Sequence, residues 1–328
     1  MTMQRGRRRA WAWAQLLGAV LILALLVRQL GAGPFLAGLR GLGPGTLLAA
    51  LAIGAATTVC SAWRWRVVAG TLGVGLPLPA ATAAYYRSQF LNSVLPGGVL
   101  GDVHRGVRHG LDAGDLGSGV RAVVWDRAAG QVVQVALTVV VLLALPSPVH
   151  ASLPLVVPPC AAAVAVLLLA GRALARRGPG RLSRLLRVIA VELRALLRRA
   201  TWPTVLFSSV LVVGGYLGTF LLAAYAAGVS GSPLRWLPPA FVVLLASSIP
   251  FNVAGWGPRE GVAVWVFAAG GWGAGTGAAV ATAFGVLTLV STLPGAAVLV
   301  ADRRRRHRDS PSTGREPARA AGGVLSGT

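Results

Sequence analysis

From Trp236 to Pro258 the chain carries no charged residue, and from Gly261 to Ala301 there is none again. Between these runs lies one adjacent pair of opposite charges, Arg259-Glu260, in a segment (Ser248 to Gly261) that holds two prolines and three glycines. A charge at the bilayer centre costs roughly 2.5–3.5 kcal/mol on insertion scales, so charges at that depth usually line a cavity or a pathway. Proline and glycine at this density interrupt a helix, and broken backbone at membrane depth survives only where protein or water satisfies it. The stretch reads as a site rather than as a plain span.

The rest of the chain supplies the membrane around it. Of 328 residues, 55% are hydrophobic and 12% charged, against about 25% charged in a soluble domain. Several apolar runs reach the about 20 residues that a helix needs to cross a bilayer. The expected fold class is all-α, a polytopic membrane helix bundle of six to eight transmembrane helices with two broken or re-entrant Pro/Gly segments. The net charge of +22 comes from arginines gathered at span ends and in clusters, the distribution that the positive-inside rule produces. Interleaved aromatic positions for base stacking are missing, which excludes nucleic acid as a partner. Cys60 and Cys160 fall in predicted spans and read as small packing residues.

In order, residues 1–9 form a basic cytoplasmic N-terminus, and residues 10–301 the transmembrane domain. Full spans are expected at Ala10 to Val27, Thr46 to Ala62, Val120 to Leu145, Leu153 to Gly171, Thr204 to Ala227 and Ala274 to Ala301. Trp63-Arg64-Trp65-Arg66 marks a cytoplasmic interface at the end of the second span. Residues 172–199 form a basic cytoplasmic loop with helical leucine spacing. It lies on the membrane surface or packs on the bundle as a linker. The tail, residues 302–328, is basic, cytoplasmic and disordered by composition. Both termini inside the cytoplasmic membrane fit six crossings with two re-entrant segments, and eight crossings equally.

The first broken segment is Leu78 to Leu100, which carries Arg87, Gln89 and Asn92 and breaks at Pro96-Gly97-Gly98. Setting Pro96 on Pro250 places Ser93 on Ser247, Gly101 on Gly255 and Arg105 on Arg259. Two interrupted apolar segments in corresponding halves point to a transporter binding site, and opposite sidedness would make them an inverted repeat. Arginine is always charged and its planar fork fits phosphate, so Arg105 and Arg259 are the candidate ligands of a lipid phosphate. Asp102, Glu260 and Asp126 are counter-charges or proton carriers, although Asp126-Arg127, near a span end, reads more simply as a structural ion pair. Asn92, Pro96, Gly97, Gly98, Gly101, Pro250, Gly255 and Gly257 shape the breaks.

The sequence contains no recognised catalytic motif, and Asp102, His104, His109 and Asp112 match no standard metal spacing. No enzyme activity, metal or cofactor is expected. Asn92 to Gly98 with Gly101-Asp102 and Arg105, then Asp126-Arg127, then Pro250 with Gly255-Trp256-Gly257-Pro258-Arg259-Glu260-Gly261, resemble the lysylphosphatidylglycerol synthase transmembrane (flippase-like) family. The resemblance runs from about Leu16 to Ala301. It implies movement of an anionic phospholipid, aminoacylated or not, or of a lipid-linked glycan between leaflets. The aminoacyl-transfer and glycosyltransferase domains fused in some relatives have no counterpart after Ala301. The rival expectation is a non-transporting accessory subunit of a separate lipid-modifying enzyme, synthase or cell-envelope glycosyltransferase. The partners are then anionic membrane lipids and that enzyme.

Overall fold

The computed structural model describes residues 28, 31–95, 98–147, 180–248 and 257–309. The spans expected at Ala10 to Val27 and Leu153 to Gly171 lie outside these residues, as do Pro96, Gly97, Pro250, Gly255 and the tail beyond Asp309. The described residues are helical, with no strand among them. In order the helices are α1 (Gly33–Arg40), α2 (Pro44–Thr71), α3 (Leu78–Val94), α4 (Leu100–Asp112), α5 (Leu116–Ala144) and α6 (Arg181–Leu196). There follow α7 (Trp202–Ala226), α8 (Pro233–Ser247), α9 (Pro258–Ala269), α10 (Ala274–Thr292) and α11 (Pro294–Asp309).

Proline in the first turn starts α2, α3, α7, α8 and α9, where its missing N–H breaks no helical bond. Asp115 caps α5, accepting from the Ser118 amide (2.9 Å) and hydroxyl (2.6 Å). Those bonds hold the Asp115 carboxyl below the usual carboxylate range. Among the described residues, four helical segments are long and apolar enough to cross a membrane: Pro44–Thr71, Leu116–Ala144, Trp202–Ala226 and Ala274–Asp302. Each coincides with an expected span. The second differs at its end, because α2 runs on to Thr71 and buries Arg64 and Trp65 instead of presenting them at an interface.

The repeat anticipated from the two breaks is present in the packing. α2–α5 have 28, 17, 13 and 29 residues, and α7–α10 have 25, 15, 12 and 19. In both quartets each helix packs on the next and the first packs on the fourth. Between the halves α2 lies against α7, while α5 meets α7 and α8 as α10 meets α2 and α3. At about 1.5 Å per residue none of the four short helices reaches the about 30 Å of a bilayer core. α4 folds back along α3, since Gly101 N–H donates to Asn92 Oδ1 (2.7 Å) and Ser88 Oγ to Asp102 Oδ1 (3.0 Å). At the open end of this hairpin, Arg87 and Arg108 both reach Asp302 on α11, at 2.5 and 2.8 Å.

Phe220 (α7), Phe267 (α9) and Phe284 (α10) form the centre of the larger apolar core. A second core surrounds Trp65 and Tyr85. α6 is tied to the bundle through Glu192, which accepts from Arg121 Nε (2.6 Å) and Trp125 Nε1 (2.8 Å) on α5. The packed-linker reading of this basic segment therefore applies to α6.

Each break carries a glycine at positive φ near the following helix, Gly98 at +62° and Gly257 at +152°, and the second lies in a region that only glycine adopts at low cost. Gly257→Ala places a Cβ in backbone space reserved for glycine, at about 1–3 kcal/mol. The expected outcome is a lower thermal midpoint of the purified protein in detergent, with α9 displaced from the cavity described next.

Candidate functional site

A cavity of about 260 Å³ lies between α2, α5, α7 and α10 and reaches Gly98, Ser248 and Gly257 beside the two breaks. Many of the side chains on its wall carry a hydroxyl or an amide, with Thr57, Gln89, Asn92, Gln131, Gln134 and Ser291 among them. Among the described residues three arginines line it: Arg64, Arg127 and Arg259. Ser93 and Ser247, paired in the sequence alignment of the halves, both face it, as do Asn92, Gly98 and Gly257.

Behind the wall stands a buried charge network. Asp126, 0% exposed, accepts from Arg64 Nε (2.8 Å), Arg105 Nη2 (3.1 Å) and the Tyr85 hydroxyl (3.0 Å). Arg64 Nη1 donates to Ser209 Oγ on α7 (3.1 Å), so this cluster joins the two halves. Asp102 accepts from Arg105 Nη2 (3.1 Å), Ser88 Oγ (3.0 Å) and Asn92 Nδ2 (2.9 Å), and pairs with Arg127 Nη2 at 2.5 Å. A buried carboxylate is tolerated only when its lone pairs are filled in this way.

Arg105 is not on the cavity wall. Its guanidinium carbon lies 4.4 Å from the Trp65 ring centroid and 4.1 Å from that of Tyr85. The two rings cover the faces of the cation while its Nε and Nη1 find no hydrogen-bond partner. The geometry makes Arg105 a positioning residue that holds Asp102 and Asp126, rather than the phosphate ligand expected from the sequence. Asp126 likewise holds arginines and has no face on the cavity.

Arg127 takes the place expected for Arg105. Successive helical residues point about 100° apart, so Asp126 turns into the core while Arg127 turns into the cavity. The Arg127 side chain is 48% exposed, against 0% for Arg105. The sequence contained one signal for this: Arg127, Gln131 and Gln134 share a face of α5, a polar stripe in an apolar span.

In the second half Arg259 pairs with its neighbour Glu260 through Nε (2.8 Å) and Nη2, while Glu260 Oε2 accepts from Gly257 N–H (2.7 Å) and caps α9. The Arg259 guanidinium rests beside Gly285, where an added Cβ would come within 2.5 Å of Nη2. Counting from helix starts, Asp102 and Glu260 are both third residues, of α4 and α9. By the same count Gly285 matches Arg127, each being the twelfth residue of its long helix. Each half thus brings one guanidinium held by the acid of its short second helix to a corresponding place on the wall, and the first half adds Arg64, which Asp126 holds. The alignment of Arg105 with Arg259 shifts because the second break is longer, 248–257 against 95–99.

The electrostatic sum is simple. Arg64, Arg105, Arg127 and Arg259 face Asp102, Asp126 and Glu260, which leaves one positive charge at the cavity.

No curated protein and no solved structure is significantly similar to the chain. The family model described as lysylphosphatidylglycerol synthase TM region matches residues 12–295, which takes in both quartets of helices and every residue of the cavity. With four membrane-length helices and this match over most of its length, the chain is a membrane protein of the lysylphosphatidylglycerol synthase transmembrane family.

Proposed function

We propose that this protein moves an anionic lipid headgroup between the leaflets of the cytoplasmic membrane, with Arg127 and Arg259 holding the phosphate. The observation that carries the reading is that Arg127 and Arg259, one from each half, line the same cavity, and that the ion pairs around it among the described residues leave one positive charge uncompensated. A phosphodiester brings one negative charge and fits the planar forks. Arg127 keeps Nη1 and Arg259 keeps its second Nη without a protein partner among the described residues, so both can donate to such a group. At about 260 Å³ the cavity is below the about 300–1,000 Å³ of drug-sized pockets, which suits a headgroup whose acyl chains stay outside. Two similarly packed halves around one site suit the alternating access that repeat-built transporters use. By the positive-inside rule, the run Arg303 to Arg306 on α11 supports a cytoplasmic C-terminal end for that helix.

The test is Arg259→Ala in proteoliposomes that contain a fluorescent phosphatidylglycerol, read by quenching of the outer leaflet. Loss of about 1.5–3 kcal/mol of charge-assisted hydrogen bonding corresponds to transfer slowed between about tenfold and 100-fold. Because Glu260 would lose its cation, Arg259→Ala/Glu260→Gln is run beside it. Unchanged transfer by the folded double variant overturns the assignment.

A further inference from the structure

The same cavity carries a statement about which headgroup it takes, and this deeper reading rests on the phosphate site proposed above. We infer that the ligand is a phosphodiester whose head is uncharged and rich in hydroxyl groups, a glycerol or a sugar, and that cationic aminoacylated heads are rejected.

The first observation is where the acids are. The whole chain has nine. None of those among the described residues is on the cavity wall. Asp102 and Glu260, the two nearest in the fold, already hold Arg127 and Arg259. Asp126 is closed in by Arg64, Arg105 and Tyr85. Asp302 is taken by Arg87 and Arg108, Glu192 by Arg121 and Trp125, and Asp115 by Ser118. Asp112 pairs at the far end of α4 with Arg108. Asp309 and Glu316 belong to the end of α11 and the tail. In the sequence, residues 96–97 and 249–256 contain no acid either. An ammonium entering the cavity finds no carboxylate.

The three aromatic side chains on the described wall already have cations beside them: Arg105 covers the Tyr85 ring at 4.1 Å, Arg259 faces the Phe284 ring at 5.4 Å, and Tyr216 lies near Arg127 and Arg64. The uncompensated positive charge at the cavity repels a second cation, and in a low-dielectric bundle that repulsion is poorly screened.

What the wall does offer suits hydroxyl groups. On α5, one turn and then two turns beyond Arg127, Gln131 has no hydrogen bond to protein among the described residues, and Gln134 offers its carbonyl oxygen to the Ser248 hydroxyl (3.2 Å). Across the cavity Gln89 accepts from Thr58 (2.9 Å) and keeps its NH₂ group. Side-chain amides both donate and accept, as a polyol requires. A head with its phosphate at Arg127 then lays its hydroxyls along Gln131 and Gln134. A site built to bond hydroxyls discriminates strongly, because its polar groups are otherwise left unpaired.

The full-length protein is equilibrated with vesicles that contain equal amounts of phosphatidylglycerol, lysyl-phosphatidylglycerol, phosphatidic acid and a polyprenyl monophosphate hexose. The lipids it retains are read by native mass spectrometry. The expected result is at least tenfold enrichment of phosphatidylglycerol or of the hexose lipid over lysyl-phosphatidylglycerol, and which of the two leads separates glycerol from sugar. In Gln131→Leu/Gln134→Leu that enrichment falls about tenfold while retention of phosphatidic acid, which has no head beyond the phosphate, stays unchanged. Equal or preferred retention of lysyl-phosphatidylglycerol overturns the inference, as does an equal fall for phosphatidic acid. Leaflet transfer is measured separately: selective retention without transfer leaves head selection standing and removes the transport reading.

Discussion

Asp126→Asn is expected to remove most of the protein from the folded, monodisperse fraction after detergent extraction. Asp126 is wholly buried and is the shared acceptor of Arg64, Arg105 and Tyr85. Asparagine keeps the shape but gives up the negative charge, and its NH₂ group points a donor at guanidinium donors. Breaking a buried ion pair from one side costs about 3–5 kcal/mol, a large part of the roughly 5–15 kcal/mol that holds a folded protein together. Two cations lose compensation here instead of one. The loss also spreads, because Arg64 reaches Ser209 on α7 and Arg105 braces Asp102 on α4. Asp112→Asn is the control: its side chain is 72% exposed, and surface changes of that kind usually stay within about 0.5 kcal/mol. Size-exclusion profiles and thermal midpoints of the two variants decide the matter. Wild-type behaviour of Asp126→Asn would mean that the network does not organise the bundle.

Arg127→Ala is expected to give a folded protein that has lost transfer by about 100-fold, if one phosphate group bridges the two guanidiniums. The fold survives this change because Asp102 keeps Arg105, Ser88 and Asn92 as donors. Since the charge at the cavity falls from one positive to none, an anion also loses its reason to enter. Arg127→Lys keeps the charge without the planar fork, and its transfer should fall between the wild type and alanine. The sharper measurement is the cycle with Arg259. If both residues hold the same phosphate, Arg127→Ala/Arg259→Ala transfers lipid no more slowly than the worse single variant, because the second deletion removes a contact already useless. Two independent sites would instead multiply the losses. That outcome would separate the arginines into different steps and undo the one-phosphate reading.

The charge-free runs, the Pro/Gly breaks and the arginine clusters were enough to establish a membrane helix bundle, its described full-length spans and its two interrupted segments. These features are set by local composition: a helix of apolar residues needs no knowledge of its neighbours to prefer lipid, and proline interrupts a helix wherever it stands. The correspondence of the halves was also legible, through Ser93 and Ser247, up to the breaks.

The allocation of charges among partners was decided only by tertiary structure. Arg64 reads as an interface residue because tryptophan and arginine flank it, yet Asp126, 62 positions away, draws it into the core. Arg105 and Arg127 have the same chemistry in the sequence. Which one meets a ligand depends on whether Trp65 and Tyr85 cover the guanidinium or the cavity opens beside it. Arg259 and Arg127 come to matching positions from different helices, a coincidence of space that no alignment of the two halves displays. The physical reason is that a buried ion is worth what its surroundings make of it. Hydropathy and helix breaks are carried by each segment alone, whereas desolvation and pairing belong to the packed bundle.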